Sequence, residues 1–173
     1  MTLYINGSKT VGNGGLAGEY LATGNNSGVF IDMCPYTFGS TGTPHSGVAF
    51  FCNDVPAGAP DNQIWSGQAR GVTFWKNGDN RVIKAEDWLG GANNFYHYPI
   101  GTWEPGVVYR VTATYTATDV QLAVYKTDNA GNVIALTASA VRPLNVPNSK
   151  GTHACVFATD GSTVGCTPVA LYP

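Results

Sequence analysis

Apolar and polar residues along this chain alternate with a period of two, the spacing of a strand, and not with the 3.6-residue period of a helix. Residues 107–116, VVYRVTATYT, show it most clearly. Val107, Tyr109, Val111, Ala113 and Tyr115 point one way, while Arg110, Thr112, Thr114 and Thr116 point the other. That is the pattern of a half-buried antiparallel strand with one wet face. A tight turn at 116–119 leads into DVQLAVYK (119–126), where Val120, Leu122 and Val124 keep the alternation, and TDNAGN (127–132) turns into a third strand at 132–140. Three sequential strands predict a meander. Further strands are expected at 2–6, 28–34, 47–53, 71–75, 81–85, 153–159 and 163–172, each rich in β-branched and aromatic residues, with NG, GG, GN, DG and PG turns between them. No segment repeats apolar residues at i, i+3, i+4 and i+7 over three turns. About ten strands without helices predict an all-β chain, an antiparallel sandwich or barrel.

Composition narrows the function classes more than the fold. The 173 residues suffice for one full-sized core, so a single domain over 1–173 is expected. Only 12% of residues are charged, about half the usual share, so the surface is polar through Asn, Thr, Ser and Gly. A net charge of −2 with no Lys/Arg run argues against nucleic acid, whose phosphates require a basic patch. No apolar run approaches the roughly 18 residues of a membrane span, so membrane insertion is not expected. The start MTLYINGSKT lacks the charged and apolar regions of a signal peptide.

The four cysteines show no metal-site spacing. In CVFATDGSTVGC a two-residue turn at Asp160-Gly161 would set Cys155 opposite Cys166, and Cys34 and Cys52 bracket the turn-like segment FGSTGTPHSG. Two local disulfides are expected on that reading, which favours an oxidising setting: extracellular, cell-surface or virion-surface. Four buried thiols are the alternative.

Candidate chemistry centres on residues 88–103, WLGGANNFYHYPIGTW, and on the strand before it. Enzymatic readings find little footing. No two acidic residues stand at i and i+2 as a glycosidase pair on one strand would; Glu86 and Asp87 are adjacent and would face opposite ways. There is no GxSxG elbow and no HExxH. A polysaccharide lyase needs only a Tyr or His pair and groups that neutralise a uronate, and Tyr96, His97, Tyr98, Asn93 and Arg81 supply those types. Calcium is considered at NGDN (77–80) and TDNAGN (127–132), which read equally well as hairpin turns; no cofactor is called for. A binding site asks for less. Sugars offer flat C–H faces to aromatic rings and hydroxyls to amides, and Trp75, Asn77, Asn80, Trp88, Asn93, Asn94, Tyr96 and Tyr98 combine the two. Each ring has the competing reading of core packing, as Trp103 is expected to do. In a strand, Asn94, Tyr96 and Tyr98 would share one face and Phe95 and His97 the other.

Three stretches, HSGVAFFCNDVPAGAP (45–60), GVTFWKNGDNRV (71–82) and GTWEPGVVYRVTATYTATDVQLAVYKTDNAGNV (101–133), resemble strands of legume-type lectins and of laminin-G-like and other concanavalin A-like jelly rolls. The resemblance covers about half the chain and implies a two-sheet jelly roll. Ser46 stands where the lectins carry a sugar-contacting Asp, and their paired calcium ligands have no counterpart in RGVTFWKNGDN. The expectation is therefore a non-catalytic module that recognises a glycan or glycoprotein. A structural or adhesive β domain, such as a virion spike or fibre head, is the alternative, and a lyase or hydrolase on the same scaffold the second. Exposed sheet edges would give a homo-oligomer its contact.

Overall fold

The computed structural model describes residues 3–6, 16–19, 27–37, 44–52, 69–89, 95–116, 118–143, 153–158, 161–167 and 170–172. Among these the chain forms thirteen strands and no helix: β1 (Leu3–Asn6), β2 (Leu16–Glu19), β3 (Ser27–Thr37), β4 (His45–Cys52), β5 (Ala69–Asn77), β6 (Asn80–Trp88), β7 (Phe95–Thr102), β8 (Tyr109–Tyr115), β9 (Asp119–Thr127), β10 (Val133–Pro143), β11 (His153–Ala158), β12 (Thr163–Cys166) and β13 (Ala170–Tyr172). They build two antiparallel sheets. One has the order β1-β12-β3-β8-β9-β10 with β13 also on β3, and the other the order β2-β11-β4-β5-β6-β7.

The sheets face each other across one apolar core, as the alternation requires. Val29, Ile31, Val111, Leu122 and Val124 come from the first sheet, and Val48, Val72, Phe74, Ile83 and Val156 from the second. The meander appears as β8-β9-β10, with Tyr109 opposite Lys126 and Tyr115 opposite Val120. Trp103 is buried, its indole N–H donating to the Trp75 carbonyl at 2.9 Å.

Two departures from simple alternation have identifiable causes. Phe50 and Phe51 are consecutive, yet both lie in the core. Phe51 has φ +66, and the β4–β11 register shifts beside it. A left-handed residue in a bulge turns the second ring inward, where it meets Tyr115 edge-on at 5.1 Å. The second departure corrects the cysteine reading. β11 lies in the six-stranded sheet and β12 in the seven-stranded one, so the two strands do not pair with each other as a hairpin. Cys166 packs in the core opposite Met33, Cys34 lies opposite Gly165, and both are free, buried thiols. The expected bridges Cys34–Cys52 and Cys155–Cys166 are therefore not formed; the side chains of Cys52 and Cys155 lie outside the described residues. Strand 163–172 is divided into β12 and β13, which share β3 as their neighbour.

Candidate functional site

The site lies on the outer face of the six-stranded sheet and is set by the β5–β6 hairpin. Asn77 pairs with Asn80 across a two-residue turn, with Gly78 at φ +59 where a side chain would be strained. That register sets Trp75 opposite Val82 and Thr73 opposite Lys84. Val72, Phe74, Ile83 and Ala85 go to the core; Thr73, Trp75, Lys84 and Glu86 face outward. On β7, His97 is opposite Glu86 and joins this face.

One end of the face is closed by aromatic packing. Gly71 lies under Trp88 and Gly47 under Phe157; a Cβ on Gly71 would come within 2.8 Å of the Trp88 ring, and one on Gly47 within 3.0 Å of the Phe157 ring. The two rings meet edge-on at 5.9 Å. The other end is an open cleft of about 380 Å³ lined by Trp75, Asn77, Asn80, Arg81, Val82, Lys84, His97 and Thr102. Its volume falls within the roughly 300–1,000 Å³ range of small-molecule sites.

Trp75 forms the wall between the two ends and is held from several sides. His45 on β4 stacks on it at 4.2 Å and 4°, and the Lys84 ammonium on β6 lies 3.6 Å from the ring centroid. The indole N–H donates to Thr73 Oγ1 at 2.7 Å and to Glu86 Oε1 at 3.1 Å, and the Thr73 hydroxyl donates to the same Glu86 oxygen at 2.6 Å. Glu86 is only 2% exposed. Burial pushes its pKa up to about 7, against the opposing effect of the bonds from Thr73 and Trp75 and the nearby His45 and Lys84. Burial likewise lowers Lys84 and His97, with Lys84 and His45 lowering His97 further. The cleft is thus walled by a pinned indole, rimmed by the Asn77 and Asn80 amides and the Lys84 ammonium, and underlain by the buried Glu86 carboxyl. Among the described residues that line it there is no carboxylate, so it offers hydrogen bonds, an aromatic wall and positive charge.

The sequence-derived candidates do not all meet here. Trp75, Asn77 and Asn80 line the cleft. Trp88 is buried at 5% exposure in the aromatic packing, so it offers no open ring face. Tyr96 and Tyr98, 54% and 38% exposed, lie on the opposite side of β7: Tyr98 pairs with the core residue Ala85, and its ring stacks under the Arg142 guanidinium of β10 at 3.9 Å. The face shared by the two tyrosines therefore looks towards the opposing sheet, and it meets solvent because β7 and β10 are both edge strands. This also divides the lyase set, with His97 on one side of β7 and Tyr96 and Tyr98 on the other, while Arg81 shares the inner side of β6 with Ile83 and Ala85 and lies over Trp103. Asn93 and Asn94 lie outside the described residues. Ser46, at the position of the lectins' Asp, is fully buried and faces inward beside Phe74 in the register. In TDNAGN, Asp128 accepts bonds from Ala130 N, Asn132 N and Asn132 Nδ2, the pattern of a side-chain-capped turn. Lys84, Val82 and Thr102 are not among the sequence candidates, and His97 is one only in the lyase set. For Val82 and Lys84 the signal was present: a two-residue turn at Gly78-Asp79 fixes the pairing of Trp75 with Val82 and Thr73 with Lys84.

The two facing antiparallel sheets define an all-β two-sheet sandwich of jelly-roll type. Among solved structures the chain is similar to lactose- and MES-liganded congerin II, with a TM-score of 0.51 and 9% identity over 92% of this chain and 100% of that one. It is similar to galectin-Ib of Xenopus laevis, at 0.50 and 9% over 92% and 100%. It is also similar to part of a GH43 protein of Bacillus licheniformis, at 0.50 and 10% over 84% of this chain and 27% of that one. At such identities the likeness is one of fold, and the resemblance to legume-type or laminin-G-like proteins extends no further than this shared sandwich. No family model matches the chain, and no curated protein matches it in sequence.

Proposed function

We propose that this chain is a non-catalytic glycan-recognition module whose ligand occupies the cleft beside Trp75. The observation that carries the reading is the cleft itself: an indole held rigid by Glu86, Thr73 and His45, beside the amides of Asn77 and Asn80 on a tight turn. His45 and the Lys84 ammonium cover the two faces of the indole, so the ring gives the cleft a fixed apolar edge, and a sugar's hydroxyls meet the short amides of Asn77 and Asn80 on the β scaffold. Congerin II, which shares the sandwich, is liganded by lactose in its solved structure. The reading calls for no cofactor and suits an extracellular, cell-surface or virion-surface setting, now without support from disulfides.

A glycan array run with and without a chelator tests it, using Trp75→Ala and the doubly substituted Asn77→Ala, Asn80→Ala protein. Binding should survive chelation and fall in both variants, with the turn variant keeping its melting temperature because both asparagines are exposed. A folded wild-type protein that binds nothing on the array would refute the reading.

One observation favours the adhesive or structural alternative. Ile134 and Leu136 are each 58% exposed on β10, a long edge strand of the seven-stranded sheet, and an apolar edge invites pairing. If assembly is the function, Leu136→Lys should lower the molar mass measured by light scattering; an unchanged mass removes this alternative.

A further inference from the structure

We propose that the cleft selects saccharides that carry a methyl group, as an acetamido or a 6-deoxy substituent, and seats that methyl on Val82 against the edge of Trp75. The inference rests on the glycan reading and names the class of ligand. It starts from what the indole does not offer. A sugar ring ordinarily lays its C–H face on an open aromatic face. Here His45 stacks on one face of Trp75, with ring centroids 4.2 Å apart, and the Lys84 ammonium covers the other at 3.6 Å. The Glu86 carboxyl bonds the indole N–H and its charge favours the ammonium form of Lys84 against burial, so the ring is fixed with both faces closed.

The apolar surface that remains is a strip and not a platform. Trp75, Val82 and Thr102 stand in one row across β5, β6 and β7, each directly opposite the next on the outer face. Outward positions of a wet sheet are ordinarily polar, and the neighbouring outward rows of the hairpin keep to that, Thr73 with Lys84 on one side and Asn77 with Asn80 on the other. Val82, half-buried on the middle strand of the three, breaks the pattern inside the cleft. Adjacent strands lie about 4.8 Å apart, so the strip from the indole edge to Val82 has the width of one methyl group. Exposed amides of Asn77 and Asn80 and the Thr102 hydroxyl border it, while Arg81 turns to the inner side over Trp103. A methyl carried by a polar group is thus met on both counts: its carbon by Val82, and the acetamido N–H and C=O or the ring hydroxyls by the amides and Thr102. A hydroxyl set over Val82 instead would lose its water and gain no partner there, so the same seat disfavours sugars without the methyl.

Calorimetric titration with two matched pairs of sugars tests this. N,N′-diacetylchitobiose differs from cellobiose in carrying acetamido groups for hydroxyls, and L-fucose differs from L-galactose in a methyl for a hydroxymethyl group. In one pair or both, the methyl-bearing sugar should bind at least about fivefold more tightly. A preference in the first pair alone assigns the seat to an acetamido group, and in the second alone to a 6-deoxy sugar. Val82→Thr keeps the shape and strand preference of the side chain but puts a hydroxyl in place of a methyl. It should abolish the preference in a protein of unchanged circular dichroism and melting temperature. Equal affinity within both pairs, or a preference that persists in Val82→Thr, would overturn the inference while leaving glycan recognition intact. Should none of the four sugars bind, the methyl seat is refuted, and the array above decides separately whether glycan recognition stands. If Val82→Thr fails to fold, Val82→Ala, expected to lose the preference by shrinking the strip, replaces it.

Discussion

Replacing Glu86 with Gln should remove a pH-dependent burden on stability. The side chain is 2% exposed, and its folded-state pKa is pushed from the ordinary 4.5 up to about 7, chiefly by burial. A carboxyl raised in this way binds its proton more tightly in the folded than in the unfolded chain, so stability is fully present below about pH 4.5 and falls as pH rises towards 7. At about 1.4 kcal/mol per pH unit, the loss is roughly 3 kcal/mol, all of it realised above pH 7. Gln retains an Oε1 that can accept from the Thr73 hydroxyl and the Trp75 indole, so the substitution removes the charge and keeps the bonds. The charged or titratable neighbours on this face are Lys84 on the same strand, His45 on β4 and His97 on β7; all three are common to both proteins and cancel to first order in the comparison. Urea unfolding of wild type and Glu86→Gln at about pH 4 and about pH 8.5 gives the quantity needed. The two proteins should be nearly equal in acid, with the variant more stable by roughly 3 kcal/mol in base. A stability difference that does not change with pH would refute the reasoning, as would a variant weaker in base, since Glu86 would then be a favourably ionised group.

Two other outcomes follow from the buried polar groups. Asp87 faces the fully buried Arg70 at 3.3 Å and is bonded by Arg142 at 3.0 Å, so Asp87→Ala should cost about 3–5 kcal/mol by removing the carboxylate from a buried guanidinium, measured by denaturant unfolding. A loss below about 1 kcal/mol would mean the pair behaves as an exposed one. Cys34 and Cys166, free and raised in pKa by burial, should resist alkylation in the native protein and become fully labelled on denaturation without reductant; finding either in a disulfide by peptide mass would contradict the fold.

Much of the scaffold was readable because strand alternation is local. The direction of a side chain from an extended backbone is set by its own residue, so the wet and dry faces of β8 and β9, the opposed directions of Glu86 and Asp87, and the turn at Gly78 could be read from a few positions. Trp103 was likewise placed in the core by its lead into the meander. The candidate site was legible where it depended on one hairpin: Trp75, Asn77 and Asn80 share the cleft because their spacing and the tight turn require it. It failed where two sheets had to be told apart. Tyr96 and Tyr98 share a face as expected, but alternation does not say which side of β7 meets the core, and Trp88 has the spacing of an outward residue yet lies under Phe157.

The sequence by itself determined an all-β chain, the dry side of its best strands, the hairpin that frames the cleft and a low charge content with a net charge of −2. Only the tertiary structure decided that β11 and β12 belong to different sheets, which leaves Cys34 and Cys166 unbridged, and that Tyr96 and Tyr98 look towards the opposing sheet while His97 joins the cleft. The physical reason is that alternation is identical whichever sheet a strand joins. Sheet membership comes from long-range pairing that buries both inner faces at once, and no short window of residues contains that choice.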